Sequence, residues 1–125
     1  MDFQDIAVVD VRVEPGASGD NYRFAFLLSR VPERFWPECF MGAYGTQSGL
    51  RRAELTDRAV TITLREAEAE AYATAIGTAV ARANADYRAD LARKATEEQQ
   101  RLDGEQQRRA RAEELSRQAR HTLGI

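Results

Sequence analysis

Residues 66 to 102, EAEAEAYATAIGTAVARANADYRADLARKATEEQQRL, decide the fold. Alanine and unbranched helix formers dominate, proline is absent, and the large apolar residues Tyr72, Ile76, Val80, Tyr87 and Leu91 fall at helical spacings, so the stretch predicts one helix of 37 residues. At about 1.5 Å rise per residue it is about 55 Å long, against about 17 to 20 Å for a strand of common length. Such a helix outruns any sheet the rest of the chain can build. Its spare surface needs a partner, a fold-back or solvent, and this is the strongest functional signal in the chain.

Val80, Leu91 and Leu102 recur at eleven residues, as do Ile76 and Tyr87, a spacing that keeps the apolar stripe nearly parallel to the helix axis. Lys94 and Glu98 interrupt it. Residues 66 to 91 are therefore expected to pack on a sheet and later residues are not. Asn84 lies in the stripe between Val80 and Tyr87, where a seam against another helix would use it to fix register. The helix is expected to start at a capping box, with Thr63 as N-cap and Glu66 at the third helical position.

Upstream of the helix the period is two. Ala7, Val9, Val11 and Val13 alternate with polar residues and predict a strand with one buried and one wet face; Ile6 and Val8 break the polar face, as they would under another element or at an interface. The turn formers of residues 15 to 21 follow, then Tyr22, Phe24, Phe26 and Leu28 on one face of a second strand. Pro32 and Pro37 predict two short turns, with Phe35, Trp36, Cys39 and Phe40 on a shared face. Residues 42 to 49, with three glycines, read as a flexible connector. Leu50 to Leu55 and Val60 to Leu64 flank Thr56-Asp57-Arg58 as a second hairpin.

These elements predict an α+β fold, a small antiparallel sheet of three or four strands in ββαββα order, packed on a long C-terminal helix that protrudes beyond it. Residues 1 to 96 form the head, and residues 97 to 125 a polar helical arm or frayed tail. At Asp103-Gly104 the arm either continues or folds back, and continuation is preferred because Ala112, Leu115 and Ala119 offer little apolar surface to drive a reversal.

Composition excludes more than it assigns. The chain carries 20 acids and 18 bases without a basic block, which gives phosphate-backbone binding no bulk electrostatic support. One cysteine rules out an intrachain disulfide. The opening Met1-Asp2-Phe3-Gln4-Asp5 lacks a signal-peptide pattern, no apolar run reaches membrane-spanning length, and a reducing cytoplasm is expected, with no membrane partner. Seventeen of the 18 basic residues are arginine, in keeping with a GC-rich bacterial genome.

Catalytic groups do not assemble in sequence. Cys39 has Glu38 and aromatic neighbours, which raise a thiol pKa, and reads as a core residue. His121 sits in the last turn of a polar helix, where a cation complements the dipole. Glu38 is best explained as a helix N-terminal acid. No catalytic, cofactor or metal site is expected. The expected activity is instead noncatalytic protein–protein interaction or homo-oligomerisation of coiled-coil type, through Ile6, Val8, Asn84, Tyr87, Leu91, Leu102 and Leu115. The competing reading is a nucleic-acid contact through Arg51, Arg52, Arg58 and Arg65 on the second hairpin, although Glu54, Asp57 and Glu66 dilute that charge.

Overall fold

A computed structural model describes residues 3–47 and 49–125; Met1, Asp2 and Ser48, which belong to the opening segment and the glycine-rich connector, lie outside the described residues. Packing divides the chain into two units, Met1–Arg88 and Ala89–Ile125. The elements run β1 (Val8–Pro15), β2 (Asn21–Leu28), α1 (Trp36–Gly45), β3 (Glu54–Thr56), β4 (Ala59–Arg65), a single 3-10 turn (Glu66–Glu68) and α2 (Ala69–Leu123). The four strands form one antiparallel sheet in the order β1-β2-β4-β3, so the α+β class and the ββαββα succession are as the sequence predicts.

The core of the first unit follows from strand alternation. Phe24, Phe26 and Leu28 of β2 and Val60, Ile62 and Leu64 of β4 are buried, and the register sets Phe24 opposite Ile62 and Phe26 opposite Val60. Directly opposed residues share a face, so the six form one apolar layer. Tyr72, Ile76, Val80, Ala83 and Tyr87 are the buried stripe of α2, at the spacings of three and four that put side chains on one helix face.

Five local expectations are corrected. The helix starts later than Thr63, because Thr63 and Leu64 stay paired to β2 as partners of Arg23 and Tyr22, and Leu64 is fully buried. Arg65 is the cap position, and its backbone N–H donates to Glu68 Oε1 at 3.0 Å. The segment after Pro32 contains a ten-residue helix, α1, with Pro37 in its first turn, where a missing amide costs nothing. That helix runs through Gly42 to Gly45 instead of leaving them in a connector, because Trp36, Phe40, Ala43 and Tyr44 make a buried face and their rings stack at 5.6 and 6.0 Å. Phe35, placed on that face by the sequence reading, is exposed. Finally, the strand predicted from Leu50 shrinks to Glu54–Thr56, ending in a tight turn where Asp57 takes φ of 53°.

β1 departs most from expectation. Val11 is opposite Phe26 and Val13 opposite Phe24, so the predicted apolar face does point to the helix side of the sheet. It is not covered there. Val9, Val11 and Val13 are 59%, 43% and 50% exposed, and a bulge between Val8 and Asp10 shifts the register at the strand's start.

In the second unit, α2 passes through Asp103-Gly104 without interruption, and every residue from Ala92 onward except Gly104 is exposed. No fold-back occurs. A polar helix of this kind is supported by side-chain pairs at three- and four-residue spacing, here Lys94–Asp90, Arg101–Glu98, Arg101–Glu105 and Arg111–Glu114, at 2.6 to 3.1 Å.

Candidate interaction surfaces

The residues predicted as a single interface separate into two groups. Ile6, Asn84 and Tyr87 are buried within the first unit. Asn84 Oδ1 accepts hydrogen bonds from the Ile6 backbone N–H at 3.1 Å and from the Trp36 indole N–H at 3.0 Å, while its Nδ2 donates to the Ile6 carbonyl at 2.8 Å. One side chain thus ties the segment before β1 and the first turn of α1 to α2. Phe3 lies 4.8 Å from the Tyr87 ring, and Arg88 bridges to Asp5 at 2.6 Å, so the same segment is held along a further helical turn. The Asn84 amide is thus engaged within its own chain, by Ile6 and Trp36.

Val8 and Leu91 are half-buried, whereas Leu102 and Leu115 are exposed at 42% and 49%, with Leu123 more exposed still. Of the residues predicted as an interface, the two exposed ones therefore lie on residues 89 to 125. Leu123, which follows the thin Ala112, Leu115 and Ala119 line in sequence, is not among the residues predicted as an interface.

Of the four arginines of the competing reading, Arg58 stands apart, whereas Arg51 and Arg65 both reach the Glu68 carboxylate, Arg51 through its side chain and Arg65 through its backbone N–H. Arg58 sits in the β3–β4 turn and Arg65 at the far end of β4, about 23 Å away at strand rise. Arg51 is bound to Glu68, its Nε lying 3.0 Å from Oε2, and that contact holds the Glu68 carboxyl below the usual carboxylate range, with the Arg65 N–H adding to the effect. Arg51 and Arg52 instead meet Arg23, Glu54, Thr61 and Thr63 around a groove on the sheet. Arg23 was missed because it is 28 residues away in sequence and joins through its register with Thr63.

Behind that groove, two tyrosines organise the link between α1 and β3. The Tyr44 hydroxyl donates to the Arg51 carbonyl at 2.5 Å, and the Tyr72 hydroxyl accepts the Arg51 N–H at 2.7 Å. Burial, with a smaller contribution from Tyr72, pushes the Tyr44 phenol up to about 12. Both contacts satisfy backbone groups, which is a structural use of the phenols.

Among the described residues no three His, Cys, Asp or Glu side chains stand together as a metal-holding group, and no helix is long and apolar enough to cross a membrane. No protein-family model matches the chain, and no curated protein or solved structure matches it significantly.

Proposed function

We propose that this protein is a noncatalytic interaction module whose working surface is the helix of residues 89 to 125. The observation that carries this reading is the contrast between the two units. The first buries a core shared by β2, β4, α1 and α2 and leaves Val9, Val11 and Val13 of β1 exposed, while the second keeps Leu102, Leu115 and Leu123 in solvent along a helix of about ten turns. Lone helices of polar composition are marginal unless packing adds to them, so a helix of this length with exposed leucines gains by docking.

The test is the solution mass of the full chain by light scattering over a hundredfold concentration range, beside a chain ending at Thr96. The expected result is an assembly that dissociates on dilution and a truncated chain that is a folded monomer by its cooperative thermal unfolding. Unchanged assembly after truncation would remove the helix from the interface.

A second reading, nucleic-acid contact, is supported only in a narrower form than the sequence implied. Arg23, Arg51 and Arg52 converge on one groove, and among the described residues Arg23 and Arg52 have no carboxylate at ion-pair distance. It predicts salt-sensitive binding of a labelled oligonucleotide, weakened by Arg23→Ala and Arg52→Ala and unaffected by Arg58→Ala. Absence of binding at low salt removes it.

A further inference from the structure

The surface of the second unit carries a pattern that specifies one partner. Along residues 91 to 123 a seven-residue repeat places Leu91, Ala95, Leu102, Ala112, Ala119 and Leu123 on a single seam, with Glu98, Glu105, Arg109 and Ser116 at the remaining positions. Read backwards about Gln107, the seam matches itself. Leu91 falls opposite Leu123, Ala95 opposite Ala119, Leu102 opposite Ala112, and Glu105 opposite Arg109; only Glu98 opposite Ser116 lacks a like or complementary mate.

Charge divides at the same point. Residues 89 to 106 hold five acids and three bases, whereas residues 108 to 125 hold five arginines and two acids. Two copies side by side in parallel would set like half against like half. Antiparallel copies set the acidic half of each against the basic half of the other, which favours that orientation and penalises the alternative. Arg109 also has no carboxylate at ion-pair distance among the described residues, while Glu105 receives only Arg101, at 2.8 Å. Arg108 meets its own copy near the axis and opposes the pairing there.

We infer that the partner of this helix is a second copy of the same chain, paired antiparallel over residues 91 to 123 about a two-fold axis at Gln107. Such an axis makes the interface isologous, so each of these contacts occurs twice. The inference rests on the proposed interaction role of the helix and adds to it the identity and the orientation of the partner. Leu115 stands beside this seam, at the flank facing Arg101 of the other copy, where its side chain covers the arginine stem.

Two measurements on the full chain test it. In a Cys39→Ser background, a spin label on His121→Cys sits on the outer face of the helix. In the antiparallel pair the two labels are separated by about 42 Å along the axis, from fourteen residues on each side of Gln107. In a parallel pair they stand level, about 20 Å apart across two packed helices.

The second measurement needs no cysteine replacement. Arg109→Glu sets two carboxylates together at both ends of the central layer and is expected to raise the dissociation constant about tenfold. Mixing that variant with a Glu105→Arg chain restores mixed dimers of the original affinity. A dimer with labels near 20 Å overturns the antiparallel pairing and leaves the helix as an interaction element. A full chain that stays monomeric at every concentration, or Arg109→Glu dimers as tight as the parent, overturns the second copy as partner; whether the helix is an interaction element is then decided by the truncation comparison above.

Discussion

The Trp36 indole N–H donates to Asn84 Oδ1 at 3.0 Å across 48 residues of sequence. The same oxygen takes the Ile6 N–H, and the amide nitrogen returns a bond to the Ile6 carbonyl, so three buried polar groups depend on one side chain. Buried donors and acceptors are nearly always paired because leaving one unpaired forfeits its hydration with nothing in exchange.

Asn84→Ala should therefore be among the most damaging substitutions in the chain. It strands the indole N–H and both Ile6 backbone groups, and a loss of about 3 to 5 kcal/mol is expected, read from the urea midpoint at unchanged slope. Asn84→Asp keeps the acceptor but loses the donor to the Ile6 carbonyl and places a charge at a site only 6% exposed, so it should also destabilise. A loss under about 1 kcal/mol for Asn84→Ala would contradict this account of the network.

Tyr44 gives a spectroscopic prediction. Its phenol is raised from 10.0 to about 12, so ultraviolet titration should resolve one tyrosine ionising near that value. The native state holds this proton more tightly than the unfolded chain. Its contribution is thus complete below about pH 10 and is lost as pH rises from there through about 12. Tyr44→Phe should abolish that titration and cost about 1 kcal/mol through the unpaired Arg51 carbonyl.

The helix of the second unit should be sensitive to acid. Arg93 and Lys94 hold the Asp90 carboxyl low, and Arg101 does the same for Glu98. These groups bind protons less readily in the folded chain, so their stabilisation is present above the ordinary carboxylate range and disappears as pH falls through and below it. Far-ultraviolet ellipticity should fall below about pH 4 and be partly suppressed at neutral pH by molar salt.

Two glycine substitutions should have opposite signs. Gly77 lies inside α2 with nothing within 4 Å of an added Cβ, so Gly77→Ala should stabilise the first unit by about 1 kcal/mol. Gly16 donates its N–H to the Asn21 carbonyl at 2.8 Å in the β1–β2 turn, and a Cβ there would sit 2.7 Å from that same backbone oxygen. Gly16→Ala should destabilise, and calorimetric melting of both variants checks the pair.

Much of the architecture was legible because it rests on local periodicity. The change from alternation in Val60 to Leu64 to the helical spacing of Tyr72, Ile76 and Val80 marks the passage from strand to helix, and both sets are buried as that pattern requires. At Gly104 the sequence only preferred continuation over a fold-back, and α2 does run through it, since one glycine costs too little to end a long helix with ion pairs on both sides. The extent of α1 was not legible. Gly42 and Gly45 have poor helix propensity, and the helix persists through them because Tyr44 finds both a stacking partner and the Arg51 carbonyl. Likewise, alternation in β1 gave the direction of Val11 and Val13 without revealing that nothing covers them, because cover depends on where the helices lie across the sheet and not on the strand itself.

The sequence alone determined the class of the fold and the succession of its elements, since each is a matter of spacing between neighbours in the chain; at Asp103-Gly104 it left continuation and fold-back both open. Tertiary structure decided which chemistry those residues perform. It turned Asn84 from a candidate partner contact into the clamp of Ile6 and Trp36, separated Arg58 from Arg65 along β4 while Glu68 joined Arg65 to Arg51, and left Val9, Val11 and Val13 at an open edge. The physical reason is that burial and hydrogen-bond satisfaction are properties of groups brought together from distant segments, and no local period encodes which distant groups will meet.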